Sequence, residues 1–242
     1  MHMYSWKKTL LFSFLIFMAF SIIQMLILMF CLLKYGFTLD NIFSDPEILE
    51  KKVYDFIAPI SIFSSLLGIL LIIYLSKFIH NSESFSKSII KEIFPINKDE
   101  SIGKTIKWLM ILFGFASFIS IASSWLGMDN TINFTNEVLS GSGSMILLLY
   151  GIGVVQPIFE EFLFRGLLFK GLHEKLGGIL TVFATSILFV LPHIQYDFVI
   201  LSLVLFPNAL ILGFARLKTG NLTIPIILHC ANNLATLLLA QS

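Results

Sequence analysis

Seven apolar runs, most of them long enough to cross a membrane, dominate this sequence of 242 residues. The hydrocarbon layer of a bilayer is about 30 Å thick, so a spanning helix needs about 20 mostly apolar residues. Such runs occur near 9–33, 56–76, 108–126, 144–169, 178–192, 197–215 and 222–240. With 57% hydrophobic and only 13% charged residues, a water-soluble core cannot account for this much apolar surface. The sequence therefore predicts an all-α, polytopic membrane bundle of about seven transmembrane helices.

The basic residues are distributed unequally between the two ends of these predicted spans. If the seven runs cross in alternation, 13 of the 16 Lys and Arg residues lie on the side of the N-terminus, and Lys34, Lys51 and Lys52 lie on the other. Cytoplasmic loops of membrane proteins are enriched in Lys and Arg. We therefore expect a cytoplasmic N-terminus in a cell membrane, with lipid as a partner. The bias toward Ile, Lys, Phe and Asn is typical of a low-GC bacterium.

The chain divides into two predicted regions, because only the apolar runs of the second half contain charged side chains. Residues 1–140 are predicted to form N-terminal transmembrane helices with a cytoplasmic basic loop near 77–107, and residues 141–242 a second helical core. The first apolar run is too long for a signal peptide and is predicted to be an uncleaved anchor. Cys31 and Cys230 both lie in apolar runs, which argues against a disulfide framework. No nucleic-acid partner is expected.

Polar side chains within the apolar runs are concentrated in the second half of the chain. An ionisable group inside a membrane costs several kcal/mol unless it is paired or faces a wet cavity, which makes each one a candidate functional residue. The set consists of Glu160, Glu161, Arg165, His193, Asn208, His229, Asn232 and Asn233. Their concentration predicts one polar site built from several helices.

Helical spacing pairs some of these residues. Glu161 and Arg165 are four apart, with the acid nearer the N-terminus, the favourable order for an ion pair. Glu160 is rotated by about 100° from Glu161 and can face another partner, as a general base requires. His229 and Asn233 share a helix face in the same way. The alternative is a structural polar cluster, or hydrogen bonds that only join helices.

Two kinds of chemistry are open to such a set. An acid, two imidazoles and a carboxamide could activate a water molecule and stabilise an oxyanion. Glu160, His193 and His229 could instead bind a single divalent metal such as zinc, so the cofactor expectation is either none or one metal ion. Residues 173–177, "HEKLG", lack the second His of a zinc-protease HExxH helix, so His173 and Glu174 are predicted to be loop residues.

Helix geometry also predicts the depth of each candidate residue. Counted at 1.5 Å per residue from the cytoplasmic ends of the predicted spans, Glu160 lies about 15 Å deep, His229 about 10 Å and His193 about 20–25 Å. These depths differ, so a tilt of the fifth helix, or a later start to it, is required for the three side chains to meet.

The order of these motifs resembles the CPBP intramembrane proteases, also called the Abi family, which include the type II CAAX prenyl endopeptidases. Glu160, Glu161 and Arg165 match an EExxxR motif, Phe189 and His193 match FxxxH, and His229 and Asn233 match HxxxN. A closing stretch with Gly220 in a turn and Pro225 near a helix start is also similar. The resemblance covers roughly residues 144–240.

The resemblance implies hydrolysis of a peptide bond inside the bilayer, in a conical cavity open to the cytoplasm. It implies that Glu160 is the water-activating base, assisted by His193, and that His229 and Asn233 stabilise the oxyanion. Glu161 and Arg165 would hold Glu160 in place. The expected substrate is a membrane-bound peptide or protein, processed as a CAAX-like protein or as a leader or signal peptide.

Two other functions are compatible with the same polar residues. A non-catalytic protein of this fold, such as a bacteriocin immunity factor or a regulatory scaffold, would use the polar groups only for binding. A transporter would use buried acids and histidines to relay protons. Inverted repeats with matching broken helices would favour the transporter, and none is visible in the sequence.

Overall fold

The computed structural model describes residues 5–34, 36, 46–79, 98–125, 139, 144–194 and 196–240. Within these ranges the chain is almost entirely helical and contains no strand, which confirms the predicted all-α class. We label the helices α1 (Trp6–Lys34), α2 (Pro46–Ile79), α3 (Lys98–Trp125), α4 (Met145–Leu176), α5 (Gly178–His193), α6 (Phe198–Thr219) and α7 (Thr223–Leu239).

The outer surface of the bundle is apolar. Five of the helices, namely α1, α2, α3, α4 and α6, are long and apolar enough to cross a membrane, and α5 and α7 are shorter apolar helices. Large apolar side chains such as Phe30, Leu70 and Phe118 are each more than 60% exposed. Contact with lipid tails removes the cost of exposing such side chains to water. The chain is therefore a multi-pass membrane protein, and the cytoplasmic N-terminus stays a prediction.

Helices α2, α3 and α4 extend further than the predicted apolar runs. Helix α4 continues through Leu176 and ends at Gly177, whose φ of 74° suits a residue without a side chain. The prediction that His173 and Glu174 are loop residues was therefore wrong, because the polar last turns remain helical. In the predicted basic loop near 77–107, residues 98–107 form the start of α3. Residues 80–97 lie outside the described part of the chain.

Helix α4 is the central element of the bundle. Of the most apolar 18-residue stretch in each helix, 50% is buried in α4, compared with 6% in α3. Its apolar face packs against α1, α2, α5 and α6 in one hydrophobic core that includes Ile16, Phe20, Ile72, Phe159, Leu163, Leu167, Phe189 and Ala209. Phe159 stacks on Phe20 at 4.3 Å between ring centroids and lies against Gly68, where a Cβ would be 2.5 Å from its ring. These contacts make α4 the rigid support of the candidate site.

Two segments of α4 are π-helical. In Gly151–Val155 and Phe162–Leu168 the helix widens, so that Gln156 N–H donates to Gly151 O and Phe169 N–H to Phe164 O, each five residues back. The two segments flank a short α-helical stretch, Gln156–Glu161, that carries both acids. Widened turns of this kind are frequent at functional sites because they redirect side chains and free carbonyl groups.

Gly151 allows α4 to approach the backbone of α2 closely. A Cβ at position 151 would lie 2.9 Å from the carbonyl oxygen of Ala58, a backbone atom that cannot move independently. We expect Gly151→Ala to destabilise the protein by roughly 1–3 kcal/mol through this overpacking. The measurement is the thermal unfolding midpoint of the purified protein in detergent.

Gly114→Ala on α3 provides the matched control for this substitution. A Cβ at position 114 meets no atom of the described structure within 4 Å, so the gain in helix propensity should leave stability unchanged or slightly higher. Equal unfolding midpoints for the two variants would contradict the close α2–α4 contact.

Candidate active site

Glu160 and Glu161 are adjacent on α4 but face different surroundings. Glu161 is fully buried and Glu160 is 8% exposed, and only Glu160 lines the main cavity of the described structure. The angle of about 100° between successive helical residues explains this division. One acid therefore faces a space that can hold water and substrate, and the other faces protein.

Arg165 neutralises the inner acid. Its Nη1 lies 2.8 Å from Glu161 Oε1, which confirms the predicted i,i+4 ion pair, and both side chains are fully buried. Its Nη2 donates to the carbonyl of Ala209 on α6 at 2.9 Å, and the guanidinium stacks 4.6 Å from the centroid of the Phe189 ring. Arg165 therefore ties α4 to α5 and α6 beneath the cavity.

His229 joins the two acids across the bundle. Its Nδ1 lies 2.9 Å from Glu161 Oε1, and its Nε2 lies 3.7 Å from Glu160 Oε2. A carboxylate only accepts, so the short contact means that Nδ1 carries a hydrogen and donates it to Glu161. The ring is 6% exposed and packs edge-on against Phe189 at 5.5 Å. The position of His229 is therefore set by Glu161 on one side and Phe189 on the other.

His193 lies at the end of α5, with one ring nitrogen bound to its own helix. Its Nδ1 is 2.8 Å from the carbonyl oxygen of Phe189, which can only accept, so Nδ1–H is the donor. In a neutral ring, Nε2 then carries the lone pair and can accept a proton. The ring stacks on Tyr196 at 6.4 Å with an interplanar angle of 14°.

Asn233 contacts the first π-helical segment of α4. Its Nδ2 donates to the carbonyl of Ile152 at 3.1 Å. It lies one turn beyond His229 on α7, as the i,i+4 spacing predicts. Asn233 therefore links the end of the site on α7 to the widened part of α4.

One cavity of about 1300 Å³ brings the predicted polar residues together. Glu160, His193, His229 and Asn233 all line it, whereas Glu161 and Arg165 lie beneath it. Its remaining walls are mostly apolar and come from α1, α2, α3, α6 and α7. The arrangement provides a carboxylate, two imidazoles and a carboxamide around a space large enough for an extended peptide segment.

The predicted differences in depth disappear once the observed helix ends are used. Glu160 lies 16 residues before Leu176 and His193 lies 15 residues after Gly178, which corresponds to about 24 Å and 22 Å. The depth estimate for Glu160 was too small because α4 extends past 169. His229 lies at the level of Glu160, because its Nε2 is 3.7 Å from Glu160 Oε2.

Four further residues of the site were not predicted. Gln156 Nε2 donates to Glu160 Oε1 at 2.9 Å, and Ser61 Oγ on α2 donates to Gln156 Oε1 at 2.7 Å. Arg216 Nε donates to the carbonyl of Arg165 in the second π-helical segment. The i,i+4 spacing of Gln156 and Glu160 was a visible signal for the first of these contacts. The contacts that Ser61 on α2 and Arg216 on α6 make with α4 join separate helices, so no helical spacing predicts them.

Tyr196 is the fourth residue, in the connection between α5 and α6. It lines the cavity, and burial raises the pKa of its phenol to about 12, with the negative charge of Glu160 adding to the rise. The phenol therefore stays protonated at neutral pH and keeps a hydrogen-bond donor near Glu160. The short "HIQY" connection gave no indication of this role.

The ligand set for a metal ion is incomplete. A protein zinc site needs at least three ligand side chains, and no cluster of three His, Cys, Asp or Glu of suitable geometry occurs among the described residues. His229 Nδ1 and His193 Nδ1 donate to Glu161 and Phe189, which leaves Nε2 of each ring as its possible metal-binding atom. The possible metal ligands Glu160, His193 and His229 do not form a three-ligand cluster in this arrangement.

Comparison with known proteins relates the second half of the chain to the family that its motifs resemble. The sequence model of the Rce1-like type II CAAX prenyl endopeptidases matches residues 142–235. An uncharacterized 24.3 kDa protein of Escherichia coli is 35% identical over 91 residues, which cover 35% of this chain and 40% of that protein. No solved structure gives a significant match.

Two further relatives carry functional names. YdiL of Bacillus subtilis (strain 168), named provisionally as a membrane peptidase, is 24% identical over 61% of both chains. The membrane-embedded CAAX protease MroQ of Staphylococcus aureus (strain USA300) is 27% identical over 52% of this chain and 51% of MroQ. The chain thus spans 40% to 61% of the length of the relatives it matches. These matches support the predicted resemblance: residues 142–235 are similar to the Rce1-like type II CAAX prenyl endopeptidases of the CPBP family.

Proposed function

We propose that this protein is an intramembrane endopeptidase that hydrolyses a peptide bond of a membrane-associated peptide or protein. The observation that carries the proposal is the convergence of Glu160, His193 and His229 on one cavity within a bundle of apolar helices. A carboxylate in such a cavity can take a proton from water.

The proposed reaction begins at Glu160. Its carboxylate accepts a proton from a water molecule, and the resulting hydroxide attacks the carbonyl carbon of the substrate to form a tetrahedral intermediate. His193 orients the same water through Nε2, because its Nδ1–H is held by Phe189 O. The proton on Glu160 then passes to the departing nitrogen, the C–N bond breaks, and a carboxylic acid and an amine are released.

His229 and Asn233 are proposed to stabilise the negative charge on the intermediate. An imidazolium at His229 would donate from both ring nitrogens and would balance the two acids together with Arg165. The donor on Asn233 Nδ2 has a second hydrogen besides the one directed at Ile152 O. Preorganised donors of this kind supply much of the rate enhancement of peptide hydrolysis.

The substrate is proposed to be a membrane-bound leader or signal peptide, or a precursor processed as a CAAX-like protein. All three relatives are bacterial, and one is named a CAAX protease. The substrate segment must be extended in the cavity, because a helical peptide engages its own carbonyls in hydrogen bonds. The largely apolar cavity walls favour a hydrophobic segment.

Membrane peptidomics tests this proposal and identifies the substrate in the same experiment. Membranes of cells producing the wild type should contain new peptide termini, and the uncut precursor should accumulate with Glu160→Gln. If the two samples contain the same peptides while Glu160→Gln preserves the biological effect of the protein, the non-catalytic immunity or scaffold function is supported instead.

Metal removal should have little effect on the purified protein. Because the described residues lack a three-ligand cluster, we expect an excess of chelator to change the cleavage rate by less than about twofold. The measurement is cleavage of the peptide found by peptidomics, with and without chelator. Loss of activity that returns on addition of Zn²⁺ would contradict the proposed metal-free reaction.

A further inference from the structure

A chain of two hydrogen bonds connects α2 to the proposed base. Ser61 Oγ donates to Gln156 Oε1 at 2.7 Å, and Gln156 Nε2 donates to Glu160 Oε1 at 2.9 Å. Ser61 is 2% exposed, and it lies 95 residues before Gln156, outside the region 142–235 that matches the family. The N-terminal half of the chain therefore contacts the site through a specific side chain.

The close approach of α2 and α4 makes this contact possible. Gly151 packs against the carbonyl of Ala58, and Ser61 follows Ala58 by about one helical turn. Gln156 comes directly after the π-helical segment that begins at Gly151. The added residue in that widened turn changes the direction of the side chains that follow it, and Gln156 faces Ser61.

The orientation of the Gln156 carboxamide decides whether it supports or disturbs Glu160. Its two ends differ, because Oε1 only accepts hydrogen bonds and the Nε2 group only donates. Ser61 donates to the Oε1 end and holds it in place, and the Nε2 end donates to Glu160, whose carboxylate only accepts. In the flipped orientation, Oε1 would face the carboxylate of Glu160 and two acceptors would repel each other.

We propose that Ser61 and Gln156 are positioning residues for Glu160, in which Ser61 holds the side chain of Gln156 in place and Gln156 fixes one oxygen of the carboxylate. This inference rests on the proposed function of Glu160 as the base. With Oε1 held by Gln156, Oε2 is the oxygen directed at His229, 3.7 Å from its Nε2. Gln156 acts through the carboxylate of Glu160 and Ser61 acts through Gln156, so their effect is on the alignment of Glu160.

A double-mutant cycle tests the proposal. Ser61→Ala, Gln156→Met and the double variant are purified, and kcat and KM are measured on an internally quenched peptide spanning the cleavage site found by peptidomics. We expect kcat to fall roughly 10-fold for Ser61→Ala and up to about 100-fold for Gln156→Met, with KM changed less than about threefold. Because Ser61 acts through Gln156, the double variant should match Gln156→Met.

Ser76→Ala is the control for loss of a buried hydroxyl on α2. Ser76 is fully buried and donates to Ile73 O of its own helix, so its replacement should leave kcat unchanged. Gln156→Met retains the length of the side chain, and the unfolding midpoint of each variant is measured beside the kinetics. If Ser61→Ala does not fold, the comparison of Gln156→Met with the wild type still tests the contact to Glu160.

Glu160→Gln separates failure of the inference from failure of the proposed function. If Glu160→Gln cleaves the peptide at the wild-type rate, both are overturned. Two results with an inactive Glu160→Gln would overturn only the positioning role. One is a wild-type kcat for Ser61→Ala. The other is a fall in kcat on Ser61→Ala that is equally large in the wild-type and in the Gln156→Met background. A fall in activity explained wholly by a lower fraction of folded protein overturns it as well.

Discussion

Replacing Glu160 by Gln is expected to lower kcat for peptide cleavage by about 10²–10⁴-fold, the usual contribution of a general base. The substitution keeps the size of the side chain and removes its negative charge and its ability to accept a proton. Glu160 is 8% exposed and borders the cavity, so the fold should tolerate the neutral amide. The measurement is the rate of peptide cleavage by the purified protein, together with its unfolding midpoint.

Glu174→Gln is the matched control for this prediction. Glu174 lies on the same helix as Glu160 but is exposed near the end of α4 and does not line the cavity. Its replacement should leave kcat within about twofold of the wild type, because a remote surface charge contributes little to a buried site. Similar losses of activity in both variants would indicate a general effect of charge on the protein and would refute the role of Glu160.

Replacing Arg165 by Met is expected to destabilise the protein by about 3–5 kcal/mol, because it leaves the fully buried Glu161 without its ion-pair partner. The substitution also removes the donor to Ala209 O and the stacking on Phe189. The measurement is the free energy of unfolding in mixed micelles or, where unfolding is irreversible, the thermal midpoint.

A second substitution at Glu161 distinguishes the loss of the ion pair from a loss of packing. The variant Glu161→Gln with Arg165→Met contains no unpaired buried charge, so it should recover part of the stability lost in Arg165→Met. Loss of packing alone predicts no recovery. A double variant whose destabilisation equals the sum of the two single effects would argue against the buried ion pair as the source of stability.

The helices and the contacts within them were accessible from the sequence. Apolar runs of membrane-spanning length predicted the bundle, and the fixed geometry of a helix predicted the Glu161–Arg165 pair. The end of α4 was misjudged because hydropathy falls where the helix leaves the apolar layer, although the helix itself continues to Gly177. That error alone accounted for the mismatch in depth between Glu160 and His193.

Contacts between helices were beyond the reach of spacing rules. The bond from His229 to Glu161 joins residues 68 apart, and the bond from Ser61 to Gln156 joins residues 95 apart. Both depend on the rotation and approach of separate helices, which follow from packing at positions such as Gly151 and Gly68. The resemblance to a family indicated which residues meet, but it gave no information about Ser61, which lies outside the matched region.

Hydrolysis in water enriched in ¹⁸O tests whether Glu160 activates a water molecule for attack on a peptide bond. The purified protein is incubated with the peptide found by membrane peptidomics, and the masses of the products are measured by mass spectrometry. We expect one ¹⁸O atom in the new carboxylate with the wild type, and product formation at least about 10²-fold slower with Glu160→Gln. Unlabelled product, or labelled product formed equally fast by Glu160→Gln, would contradict the activation of water by Glu160.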